Sequence, residues 1–215
     1  GSVTLNNALP IANITAPTPN QVVIAGAINL VGTAAGANFK SYLVEYGAGV
    51  SPTAWSFIKS ATTPVTNGVL ASWNAATLTG AVYTLRLTVT PTTGQAASDL
   101  VTVQLLNIYS LTDAPDPFSP NGDGISEMTT LMVKFTLSVN WALTIKNTAG
   151  TIVRTYAGSG STIAQPWDGK NASAVFVPDG LYTYQFQGTE PGSGLTSTSS
   201  IGQVTVDRTA PTAAI

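Results

Sequence analysis

From residue 83 to residue 89 the chain reads Tyr-Thr-Leu-Arg-Leu-Thr-Val, with every odd position apolar and every even position polar. Period two belongs to a strand with one face buried and one face wetted, because successive side chains point to opposite sides of a sheet. The same alternation marks residues 42–46, 100–105, 131–137, 142–146 and 182–187. No stretch carries the i, i+3, i+4, i+7 apolar pattern of an amphipathic helix. Clusters of Gly, Pro and Asn separate the runs: Thr66-Asn67-Gly68, Pro91-Thr92-Thr93-Gly94, Asn147-Thr148-Ala149-Gly150 and Val177-Pro178-Asp179-Gly180. Each cluster is expected as a turn. Many short strands at this spacing predict an all-β chain built as antiparallel β-sandwiches.

An internal repeat sets the expected number of domains. Trp73-Asn74 is followed by Gly80 and then Tyr83-Thr84, and Trp167-Asp168 by Gly180 and then Tyr182-Thr183. Each half closes on a Val-Thr-Val run, at 101–103 and at 204–206. Two tandem Ig-like or fibronectin-III-like sandwiches of about 100 residues follow, at 8–106 and 107–208, with the boundary in the segment 106–113. Gly1-Ser2 reads as a tag scar, and 1–7 as a leader. Pro10-Ile11-Ala12-Asn13-Ile14 and Pro211-Thr212-Ala213-Ala214-Ile215 align with one another, so 209–215 is read as the truncated first strand of a further repeat. A Tyr that opens the penultimate strand of such a sandwich forms a corner, its hydroxyl bonded to nearby backbone; Tyr83 and Tyr182 take that role. Trp73 and Trp167 recur at equivalent places and are assigned to the core.

Composition removes whole classes of chemistry. The chain of 215 residues has no His and no Cys, so His general bases, His- or Cys-ligated metals, thiol catalysis and disulfides are excluded. Only 8% of residues are charged, and eight Lys plus Arg lie singly, which leaves no basic footprint for nucleic acid. At 44% hydrophobic the chain still has no apolar run near the ~20 residues a membrane helix requires, so no membrane insertion is expected. Asp168 and Asp179 sit in turns, and Lys40, Lys59, Lys134, Lys146 and Lys170 in strands or turns open to solvent. Neither set builds a carboxylate pair or an activated lysine, and the chain is expected not to be an enzyme. A Thr-rich chain poor in charge and free of Cys points to a bacterial extracellular or cell-surface protein.

One ordered set of motifs adds a family resemblance. It begins at Pro117-Phe118-Ser119-Pro120-Asn121-Gly122-Asp123-Gly124 and continues through Leu143-Thr144-Ile145-Lys146-Asn147-Thr148-Ala149-Gly150 and Trp167-Asp168-Gly169-Lys170-Asn171 to Val177-Pro178-Asp179-Gly180-Leu181-Tyr182. Over roughly residues 113–207 this resembles the Ig-like domain of flagellar hook-capping proteins, found also in large bacterial surface and secreted proteins. Two departures are Ala174, where that family commonly carries Gly, and Glu127, where it more often has Asp. The first half resembles, more loosely, Ig-like or fibronectin-III-like repeats of bacterial exoproteins. A fold of this kind assigns no activity.

Two candidate sites follow from the residues. In the loop 119–127, Asn121, Asp123 and Glu127 fall at alternate positions around Gly124, the donor pattern calcium takes from a tight loop. Asp116, with Asp113 behind it, would complete the shell. The competing reading is an ordinary Asn-Gly-Asp-Gly turn. Trp55 and Trp141 do not recur between the halves, and each is a candidate platform for a sugar ring. Trp55, Phe57 and Lys59 share a strand face that is either open or turned to the core. The expected role is a non-catalytic structural or spacer module rigidified by calcium, its partners being neighbouring domains or other copies. The rivals are an adhesion module for cell-surface glycan and a filament subunit that polymerises by strand addition.

Overall fold

Eight strands make up the first half of the chain: β1 (Ile11–Ala16), β2 (Val22–Ile24), β3 (Ala27–Ala35), β4 (Phe39–Ala48), β5 (Ser56–Ala61), β6 (Val65–Asn74), β7 (Val82–Pro91) and β8 (Ala97–Leu106). They form a three-stranded sheet, β1-β3-β6, and a five-stranded sheet, β2-β8-β7-β4-β5. Every pairing is antiparallel except β2 with β8. Leu30, Leu70 and Trp73 from the small sheet share one buried core with Val44, Leu85, Leu87 and Val103 from the large one. The Trp73 ring meets Tyr46 at 5.5 Å and Tyr83 at 5.7 Å, and the Tyr42 hydroxyl donates to the Leu70 carbonyl across the core at 2.8 Å. The computed structural model describes residues 9–209. Chain contacts divide it between Leu106 and Asn107 into two compact units. The leader at 1–7 and the repeat segment at Pro211–Ile215 lie outside the described residues.

Alternation in β7 is carried through: Tyr83, Leu85, Leu87 and Val89 are buried, and Arg86 and Thr88 lie on the other face. Thr84 is the exception. It is buried on the outer face because its hydroxyl donates to the Gly49 carbonyl at 2.7 Å. One local expectation is corrected and one open alternative is decided. Thr66-Asn67-Gly68 is no turn but lies inside β6, where Asn67 takes φ of 48° beside a register break between Gly32 and Ala34. An Asn-Gly pair supplies positive φ to a bulge as readily as to a turn. On β5, Phe57 is 66% exposed while Ile58 packs on the core, which fixes the face that Trp55, Phe57 and Lys59 left open.

The second half contains β9 (Ile108–Ala114), β10 (Thr129–Lys146), β11 (Ile152–Trp167), β12 (Gly180–Thr189), β13 (Thr196–Thr198) and β14 (Gly202–Val206), all in one six-stranded sheet. Residues 131–137 and 142–146, expected as separate strands, are one strand of 18 residues. Nothing between them reverses the chain. Instead a register break between Lys134 and Val139 lets the ladder with β11 continue on both sides. The first part of β10 pairs with β9 and the second with β12. Inside the core Trp167, at the end of β11, meets Tyr182 of β12 at 5.4 Å and Phe118 at 5.4 Å. Residues 108–114, expected at the boundary, are strand β9 of this unit.

Both units contain the same aromatic pair, Trp73 with Tyr83 and Trp167 with Tyr182, each edge to face. Their corners differ in polarity. The Tyr182 hydroxyl donates to the Pro178 carbonyl at 2.8 Å, whereas the Tyr83 hydroxyl accepts the Gly80 N–H at 3.0 Å. The indole N–H of Trp167 reaches the Lys170 carbonyl at 3.0 Å, while that of Trp73 is buried without a protein partner.

Candidate functional site

The 116–127 loop hangs from a buried anchor. Phe118 is 1% exposed and packs against Trp167, its N–H donates to the Thr205 carbonyl and its carbonyl accepts the Asp207 N–H. Beyond Pro120 the chain is exposed from Asn121 to Ser126. Gly122 and Gly124 take φ of 89° and 88°, a conformation a side chain would resist. These two glycines aim their N–H groups at one oxygen, Glu127 Oε1, at 2.8 and 2.9 Å. Asp123 Oδ1 accepts the Ile125 N–H at 2.8 Å, and Asn121 Oδ1 accepts the Asp123 N–H at 2.9 Å. The Asn121 amide closes the circuit on Asp123 Oδ2 at 3.1 Å.

Three of the four residues expected around calcium are thus brought together, but each turns an oxygen to the loop's own backbone. The fourth stands apart: Asp116 Oδ1 accepts the Thr205 N–H at 2.8 Å. Asp113 is engaged elsewhere too, accepting from the Tyr184 hydroxyl at 2.7 Å. Among the described residues no group of three or more His, Cys, Asp or Glu is placed to share a metal. A recess of about 300 Å³ lies beside the loop, bordered by Asn121, Asp123, Ser126 and Asp207. Chemically the arrangement is an anion nest filled from within, with a carboxylate holding two inward-turned amides.

Neither candidate sugar platform presents a bare ring. The Arg86 guanidinium sits 3.9 Å over Trp55 and is held there by two bonds to Glu45 Oε2, at 3.0 Å from Nε and 2.7 Å from Nη2. Trp141 is half-buried, edge to face with Phe186 at 6.1 Å, and it covers Gly158 so closely that any side chain there would strike the indole.

A cluster with no periodic signal in the sequence lies after β14. The Phe176 ring is approached by Lys170 Nζ at 4.8 Å and by Arg208 Cζ at 4.4 Å. Arg208 Nε also donates to the Pro120 carbonyl at 3.3 Å, and the Thr209 hydroxyl to Asp179 Oδ2 at 2.9 Å. Residues 207–209 are therefore fastened to two loops of their own unit, 115–128 and 168–179.

Burial, then the bond to Asp113 and the nearby carboxylates, pushes the Tyr184 phenol far above its ordinary value. Burial and the charge of Asp179 raise Tyr182. The backbone N–H of Gly192, with the Ser193 hydroxyl and N–H, holds Glu190 below the usual carboxylate range.

No family model and no curated protein matches the sequence. Among solved structures the chain is similar to dimeric latent PorU from Porphyromonas gingivalis, at TM-score 0.39 and 14% identity over 94% of this chain and 20% of that one. It is similar also to PorZ, a surface component of the type-IX secretion system of the same organism, at TM-score 0.30 and 17% identity over 46% of this chain and 12% of that one. A tetra-tandem repeat in the extending region of a large adhesion protein matches at TM-score 0.32 and 21% identity, over 85% of this chain and 46% of that one. The chain thus spans less than half the length of each of these proteins. Likeness at this level assigns no activity, ligand or partner.

Proposed function

We propose that the chain is a non-catalytic spacer from a bacterial extracellular or cell-surface protein, made of two tandem Ig-like sandwiches. The observation that carries this reading is the duplicated Trp–Tyr pair, 73 with 83 and 167 with 182, each buried in its own unit. Repetition of a packing device, with sites absent from the repeat, is what a module selected for length and rigidity requires. The polar residues of the most chemical-looking loop support it, because they stiffen their own backbone. In this reading the 116–127 loop is made rigid by Glu127, Asp123 and Asn121, and the donor geometry fits that role better than a calcium cage.

The rival is a glycan-binding adhesion module, resting on Trp55 and Trp141. Glycan arrays probed with the purified chain decide between the two. A spacer gives no saturable retention; retention removed by Trp55→Ala or Trp141→Ala overturns it in favour of adhesion.

A further inference from the structure

The longest strand edge in either unit belongs to β11. This strand of 16 residues pairs along one side with β10, and among the described residues no other strand joins it. At its start the edge is covered, since the Val153 carbonyl accepts the Ala172 N–H and Arg154 Nη1 donates to the Asn171 carbonyl. From Thr155 to Gln165 no backbone group outside β10 pairs with it among the described residues. A row of unpaired N–H and C=O groups is a template for one more strand, and proteins normally guard such rows with charge, proline or bulges. Here residues 155–167 hold no charged side chain, and Pro166 protects only the far end. By contrast the edge strand β5 carries Lys59 and β9 carries Asp113.

We infer that β11 is a self-association edge, pairing antiparallel with β11 of a second copy about a twofold axis at Ala157. The stretch 154–160 suits this geometry because its register with β10 runs unbroken from Arg154 to Gly160. A twofold at Ala157 sets Ala157 against itself, Thr155 against Ser159 and Tyr156 against Gly158, so no charged residue lies within the paired stretch. Thr155, Ala157 and Ser159 are all exposed, and the pairing is confined to 155–159, short of the bond between Ala172 and Val153. A foreign peptide fits less well. Strand addition takes its specificity from side-chain pockets along the edge, whereas a twofold edge needs only its own sequence. The inference is independent of the spacer reading and concerns how copies lie beside one another.

Sedimentation velocity on the full chain, from micromolar to millimolar, tests this. The wild type should associate reversibly with rising concentration. Ala157→Glu places two carboxylates face to face at the axis and should weaken association by roughly tenfold or more, as should Ala157→Lys. Mixing the two variants in equal amounts should restore it, because opposite charges then meet. Circular dichroism confirms that each variant is folded; Ala157 is exposed, and a charge there has solvent to enter. A wild type that stays monomeric, variants that associate as the wild type does, or a mixture no tighter than its components would each overturn the inference.

Discussion

The Tyr184 hydroxyl donates to Asp113 at 2.7 Å, joining the middle of β12 to the outer strand β9 within the second unit. Tyr184 is 2% exposed, so its neutral phenol is the form the fold accepts. Its folded value stands above the ordinary 10.0 of an unfolded chain. The stability this supplies is complete below that ordinary value and is lost as pH rises from it toward the folded one. Tyr184→Phe should cost about 2 kcal/mol at neutral pH, because a bond to a charged acceptor goes and Asp113 is left half-buried. It should also flatten the alkaline decline. Chemical denaturation at a series of pH values checks both, and equal slopes for the two proteins would refute the assignment.

Glu190 works in the opposite direction. Its folded value is lowered, chiefly by the Gly192 N–H, so its contribution is present above the ordinary carboxylate value and disappears as pH falls through the folded one. Glu190→Gln should leave acid unfolding less steep and change little at alkaline pH. Acid titrations followed by circular dichroism measure it.

The two corners should respond alike in size. Tyr83→Phe removes the acceptor of the Gly80 N–H, and Tyr182→Phe removes the donor to the Pro178 carbonyl. Each should cost ~1 kcal/mol in its own unit. Hydrogen exchange resolved by residue should show protection lost around 78–84 in the first variant and around 177–183 in the second. Protection unchanged in both would remove the corner role.

Ala174 has φ of 61° in the loop that Asn171 closes with bonds to the Ser173 and Val175 N–H groups. A Cβ in that region costs roughly 1–2 kcal/mol, partly offset because alanine restrains the unfolded chain. Ala174→Gly should therefore stabilise the second unit by about 0.5–1 kcal/mol, read from its denaturation midpoint. A neutral or destabilising result would show that the loop relaxes around its alanine.

Calcium gives a direct trial of the 116–127 loop. With Glu127 already bound to two backbone amides, melts in calcium and in chelator should superimpose, and Glu127→Ala should cost ~1 kcal/mol in either medium. A calcium-dependent rise in the midpoint, abolished by Asp123→Ala, would restore the cation reading.

Alternation revealed the all-β class and the inward faces of β7 and β12, since period two states directly which side chains share a side. It could not say which strands continue through a bulge. Residues 131–137 and 142–146 read as separate strands although apolar odd positions continue between them through Val139 and Trp141, and the backbone ladder with β11 resumes at Val139. Asn67-Gly68 misled for a related reason, positive φ being common to turns and bulges. At the loop, the spacing of Asn121, Asp123 and Glu127 marked residues that do converge. Spacing alone does not tell whether side-chain oxygens face a cation or the N–H groups of their own turn. The Phe176 cluster was invisible, because Lys170 and Arg208 come to one ring only through the fold.

In the second sheet β10 and β11 pair with one another along nearly their whole length, β10 taking β9 as its other neighbour in its first part and β12 in its second. The two parts share this ladder, and loss of either would expose the rings that Trp167 and Tyr182 hide from water. In native-state hydrogen exchange the two parts of this sheet are therefore expected to open together, as one cooperative unit.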